Sequence, residues 1–243
     1  LTASQWNARV WILLGVTVAS LAALLFVPPI PQDQAYHHFA DQRLIFAIPN
    51  FWNVVSNIPF LLVGAAGLRL AGPLSMRIMF LGIFLVGFGS AYYHWNPNDA
   101  TLIWDRLPMT VGFMAILASI IEERVSEKAG ALLLWPLLAL GVVSLLVWRF
   151  TGDLRLYFWV QFFPIIALLL IFVLFPPKFT GTANWLIAAA LYALAKLPEF
   201  YDATIFSAAH DVVSGHTVKH LFAAAACFFI LRNFQTRKPL AAS

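Results

Sequence analysis

Long uncharged apolar stretches follow one another along almost the whole of this chain, and that pattern leaves few folds open. A stretch of roughly 17 to 25 apolar residues is long enough to cross a bilayer as a helix. Reading for such spans gives eight helices, with uncharged cores Trp11–Val27, Phe51–Leu68, Ile78–Tyr93, Leu107–Ile121, Ala129–Trp148, Leu156–Pro177, Phe179–Ala195 and Leu221–Leu231. The eighth is short, and reaches spanning length only by starting upstream, near Val212, which places His216 and His220 in its first turns. The third is completed by a polar end carrying Ser90 and His94. Alternation of the strand type is absent, which argues against a transmembrane barrel. The expectation is an all-α polytopic transmembrane helix bundle, one integral membrane domain over residues 1–243. Composition supports it: 61% of the 243 residues are hydrophobic and only 11% charged, far from a soluble domain's balance.

The first stretch follows a short polar start with Arg9, as a signal peptide would. Its uncharged run, however, is long for such a segment. It is therefore read as a helix of the bundle, over about residues 9–28. The single cysteine, Cys227, lies in an apolar run and reads as a small buried hydrophobe.

Counting Lys and Arg on alternate sides of eight spans sets the orientation. Arg9, Arg69, Arg77, Arg124, Lys128, Lys178, Arg232, Arg237 and Lys238 fall with the termini; Arg43, Arg106, Arg149, Arg155, Lys196 and Lys219 fall on the other side. Nine against six places both termini in the cytoplasm. The net charge of +4 is then accounted for by cytoplasmic loops and tail, and calls for no nucleic-acid partner. The third span ends, and the eighth begins, on the non-cytoplasmic face.

His94, His216 and His220 can therefore converge toward the outer half of the membrane. Histidines four apart on a helix share a face, so His216 and His220 can grip one ion and His94 can supply a third ligand from another helix. Three imidazoles with one open position is the arrangement of a catalytic zinc, which lowers the pKa of its bound water to about 7. Asp105 is placed at the start of the fourth span. There it serves either as a helix-start acid, as a partner for Arg106, or as the group that accepts a proton from the activated water. Ser90 lies one turn before His94 and points either at the same centre or back at a carbonyl four residues earlier. Lys196, Glu199 and Asp202 are spaced to form either a network orienting the metal ligands or a loop salt bridge. Asp211 or Ser214 is the candidate cap of the last helix.

Three segments together, Gly87-Phe88-Gly89-Ser90-Ala91-Tyr92-Tyr93-His94, Asp105-Arg106-Leu107-Pro108-Met109 and His216-Thr217-Val218-Lys219-His220, resemble the alkaline ceramidases. These belong to the CREST superfamily of membrane hydrolases. Phe51-Trp52-Asn53-Val54-Val55-Ser56-Asn57 resembles the start of that family's seven-helix core, and the resemblance runs from about residue 50 to 232. It implies a core over about residues 50–233 with one extra N-terminal helix, a zinc ion on His94, His216 and His220, Asp105 contacting the metal-bound water, and Ser90 near the developing oxyanion. The substrate it implies is a ceramide or other N-acyl lipid, cleaved to a fatty acid and an amine or sphingoid base. Animal members carry an acidic calcium-binding stretch before the first core helix. In the corresponding Tyr36–Arg43 loop only Asp41 offers a carboxylate, and Asn50 stands where a glutamate is expected, which argues against calcium and suggests a bacterial-type branch in the inner membrane. The loop lies on the face of the proposed zinc, as a cap, a lipid-headgroup contact or an interfacial loop. Two other functions use the same residues: a lipid-sensing receptor with a structural zinc, and an ion or proton transporter. Nothing in the sequence specifies an oligomeric state.

Overall fold

The computed structural model describes residues 3–241, and within them every regular element is helical. In chain order these are α1 (Ala3–Ala23), α2 (Phe51–Val55), α3 (Ile58–Leu68), α4 (Leu74–Trp95), α5 (Asp99–Ile120), α6 (Glu127–Thr151), α7 (Arg155–Leu174), α8 (Thr182–Leu194), α9 (Lys196–Phe200), α10 (Asp202–Ala208) and α11 (Gly215–Thr236). Among the described residues six helical segments are long and apolar enough to cross a membrane: Asn7–Phe26, Phe51–Leu68, Leu74–Trp95, Asp99–Val125, Glu127–Thr151 and Arg155–Leu174. These correspond to the first six expected spans. The seventh expected span is a helix of 13 residues, α8, which runs on through two short helical pieces. The eighth is α11, whose 22 residues reach about 33 Å but whose polar first turns and polar C-terminal end lower its hydropathy.

Boundaries differ from the sequence reading in instructive ways. Asp105 is not at a helix start. α5 begins six residues earlier, at Asp99, where the Asn98 side chain accepts from the Thr101 amide while the Thr101 hydroxyl accepts from the Asn98 amide, a capping box. Asp105 therefore sits two turns inside the helix, 7% exposed, and the first turns of α5 are polar helix that an apolar-run criterion cannot see. α11 begins at Gly215 rather than Val212, capped by the Ser214 hydroxyl, which accepts from the Thr217 amide at 3.1 Å. The fourth span ends in a π-helical turn, Ile121–Val125, which buries the charged Arg124 beside Glu123 at 3.6 Å.

α4 and α5 pack backbone against backbone. A methyl group at Gly89 would collide with the Trp104 carbonyl, and one at Gly82 would meet the Gly112 backbone. Gly64 does the same for α3 against Phe84 of α4. Small residues at crossing points are how helices approach closely in lipid, where the hydrophobic effect does not drive association. α1 lies on the outside of the bundle against α7, and the Arg9 guanidinium donates to the Leu174 carbonyl at one end. At the other end the α6–α7 connection is tied to the segment after α1. Ile30 accepts from the Leu154 amide at 2.9 Å and donates to Asp153 Oδ1 at 3.3 Å. The Arg155 side chain beside Asp153 holds that carboxyl below the usual carboxylate range. Adjacent long helices thus alternate in direction, and the connections 27–50, 96–98, 152–154 and 195–214 share one face of the bundle.

Candidate metal centre and cavity

His94 is in the last turn of α4, and His216 and His220 are in the first two turns of α11, so both helices deliver their imidazoles to that common face. The three rings form a nearly equilateral triangle, with centroids 4.8 Å, 4.8 Å and 4.9 Å apart and planes steeply inclined to one another. All three are buried, and one nitrogen from each lies within 4.8 Å of the others. His94 Nε2 and His220 Nε2 are 3.1 Å apart. Two imidazole lone pairs at that distance repel unless a cation or a proton lies between them. Zinc–nitrogen bonds of 2.0–2.1 Å in a tetrahedron give a nitrogen–nitrogen edge of about 3.3 Å, which this pair approaches.

The tautomer of His220 is set from behind. Ser56 Oγ lies 2.7 Å from His220 Nδ1 and donates its own hydrogen to the Asn53 carbonyl at 3.2 Å, so the ring nitrogen is the donor in that pair. With Nδ1 protonated, the Nε2 lone pair faces the centre. Histidine ligands are commonly oriented this way by a partner on the other nitrogen. Ser56→Ala is expected to weaken metal binding by about 10- to 100-fold with little effect on folding, as measured by zinc competition with a chromophoric chelator. An unchanged affinity would remove Ser56 from the ligand support. Sequence reasoning assigned Ser56 no role; it falls in the turn between α2 and α3, after a helix of only five residues.

α11 itself is anchored at its first turn. Asp202 accepts from the His216 amide through Oδ1 at 2.7 Å and from the Ala40 amide through Oδ2 at 2.9 Å. Gly215 lets the chain pass, since a methyl group there would strike the Pro198 carbonyl and the Asp202 backbone. Asn53 Oδ1 accepts from the Thr217 and Ser214 hydroxyls at 2.9 and 3.3 Å. Of the trio read either as a network orienting the histidines or as a loop salt bridge, Asp202 thus anchors the helix that carries His216 and His220, whereas Lys196 and Glu199 form a salt bridge at 2.8 Å. Glu199 also takes Lys219 at 2.7 Å and the Tyr36 hydroxyl at 3.2 Å. Burial, and then the Glu199 charge, push the Tyr36 phenol well above its usual range, so it stays a donor.

The loop before α2 covers the histidines. Phe39 is buried with its ring 4.7 Å from His94 and 4.6 Å from His216, and Tyr36 stacks on Tyr93. Asp41 is fully buried and both its oxygens are taken by Arg43, at 2.8 Å from Nε and 2.6 Å from Nη2. Asn50, the other position of the calcium comparison, turns its amide to the His94 carbonyl at 2.8 Å.

Ser90, Asp105 and His220 line a cavity of about 930 Å³ that also meets Lys219, then passes between α5, α7, α8 and α11 to Trp185 and Ile230. From His220 to Ile230 is about 15 Å along α11. The Ser90 hydroxyl lies close to the Asp105 carboxyl at the His220 end. Most of the lining beyond this polar end is aliphatic or aromatic, apart from Gln161, which donates to the Tyr192 hydroxyl at 2.6 Å.

The fold and site define a polytopic helical membrane protein with a buried three-histidine cluster at the polar end of an apolar cavity. A sequence model of the family described as Ceramidase matches residues 43–235, and the chain belongs to that family. Comparison with the curated proteins finds no match.

Proposed function

We propose that this protein is a zinc-dependent amide hydrolase that cleaves an N-acyl lipid of the ceramide type within the membrane, releasing a fatty acid and an amine or sphingoid base. The observation that carries this reading is that Ser90, Asp105 and His220 together line the head of an apolar cavity. His94, His216 and His220 would hold the zinc. When bound, it supplies Lewis acidity to water and to the amide carbonyl.

The remaining steps belong to the chain's own residues. Asp105 takes the proton of the attacking water and returns one to the departing amine nitrogen. Ser90, next to Asp105, donates to the carbonyl oxygen as it gains charge. The apolar walls receive an acyl chain, and the charged group of Lys196, Glu199 and Lys219 marks the watery end. A domain of seven helices over about 50–233 does this work, with α1 appended. We place the chain in a bacterial inner membrane with eight crossings, and on that count the positive-inside bias favours cytoplasmic termini and a centre toward the outer face.

The test is elemental analysis of the purified protein, followed by incubation with fluorescent ceramide and a panel of N-acyl lipids. About one zinc per chain and release of labelled fatty acid are expected. Stoichiometric zinc without turnover of any N-acyl lipid would instead identify a lipid-sensing protein with a structural metal.

A further inference from the structure

Arg106 follows Asp105 on α5 and lines the same cavity, yet it is only 5% exposed. A buried charge is ordinarily paired, because its hydration is lost and must be replaced. Four other cations around this face are paired, Arg43 with Asp41, Arg155 with Asp153, and Lys196 and Lys219 with Glu199, while Arg149 is exposed to its surroundings. Arg106 makes no ion pair among the described residues. Its Nη2 donates to Gln32 Oε1 at 2.7 Å, while Nη1 has no hydrogen-bond partner. Aromatic faces supply the rest of its surroundings, with Trp148 at 4.4 Å, Tyr157 at 4.6 Å and Tyr36 at 5.9 Å from the guanidinium carbon. Such faces attract a cation but satisfy no N–H fork. Of the neighbouring carboxylates, Asp105 is not within ion-pairing distance of the guanidinium and Glu199 is taken by two lysines.

A guanidinium of this kind is built to receive a planar or tetrahedral oxyanion. We propose that Arg106 binds an anionic oxygen group, carboxylate or phosphate, on the headgroup of the N-acyl lipid, so that the preferred substrate is an anionic N-acyl lipid rather than neutral ceramide. This rests on the hydrolase reading and narrows its substrate. In an N-acyl amino acid the carboxylate is one carbon removed from the amide nitrogen, and Asp105 and Arg106 both line the cavity that would hold it. Gln32, in the loop over the cavity, fixes one side of the fork and leaves the other free.

The experiment uses the full chain in neutral phosphatidylcholine nanodiscs, with competition binding and hydrolysis measured for N-oleoylglycine, a phosphorylated ceramide, neutral oleoyl ceramide and oleate. At least one anionic N-acyl lipid is expected to bind about tenfold more tightly than ceramide, and the more favoured of the two identifies the anion. Arg106→Gln should bring that ratio close to one. Gln32→Glu should do the same from a half-buried loop position, by giving the guanidinium an internal carboxylate, and keeps the test in force if the arginine variant does not fold. Equal affinities in the unaltered protein would overturn the proposal, as would a preference that survives both substitutions, or Arg106-dependent binding of oleate alone. If the binding preference holds while no lipid is cleaved, Arg106 keeps its role and the hydrolase reading falls. Cleavage of ceramide and both anionic lipids with equal efficiency has the opposite meaning.

Discussion

Asparagine in place of Asp105 is expected to slow amide hydrolysis by about 10²- to 10⁴-fold while leaving the metal in place. The substitution conserves shape, and the amide oxygen can still accept from the Ser90 hydroxyl. What it removes is the capacity to take a proton from water and return one to the amine. Asp105 is two turns inside α5 and nearly covered, with no guanidinium or ammonium in direct ion pairing among the described residues. The measurement is fatty-acid release by the variant beside its zinc content and melting temperature. Loss of metal together with activity would make Asp105 a ligand, and full activity would remove it from the chemistry.

The second large effect is expected at the metal. His220→Ala should lower zinc affinity by more than about 100-fold, beyond the range seen when only a supporting partner is lost, and should abolish turnover. It takes away the one imidazole that both faces His94 at 3.1 Å and lines the cavity. Elemental analysis after dialysis reads the first effect, and hydrolysis with and without added zinc reads the second. A variant that keeps stoichiometric zinc and normal turnover would show that the histidine triangle is not the reactive centre. The pair of substitutions separates two functions within one site: Asp105→Asn yields a loaded and inert protein, His220→Ala an unloaded one.

Much of this site can be read in the sequence, for a reason particular to membranes. A histidine or aspartate in an apolar run stands out because the surrounding residues leave it no solvent, and the four-residue spacing of His216 and His220 specifies a helical face. Parity of the spans then brings His94 to the same side. The first six spans are legible because each is a continuous apolar run. The weaker reading came where helix and hydrophobicity part company. The first turns of α5 are capped by Asn98 and contain Asp99 and Thr101, so apolar content cannot mark their start. α8 is too short to declare itself, and α11 trades hydropathy for its polar histidine-bearing first turns. Ser56, Phe39 and the free side of Arg106 were invisible for a different reason. Each acts through a contact across the fold, Ser56 with a residue 164 positions away, and no local pattern encodes that.

The glycine contacts between α3, α4 and α5 carry one more consequence. Ser90 and His94 on α4 meet Asp105 on α5 at a register that the Gly89–Trp104 and Gly82–Gly112 approaches hold, because a shift of one residue would push a side chain into a main chain. Lipid bilayers differ in thickness, and helices usually accommodate by tilting or sliding. Here the slab of three helices cannot shear. The depth of the reactive groups is a property of the protein, and a mismatch with the host membrane falls on the periphery, on α1 and on the broken α8–α10 segment.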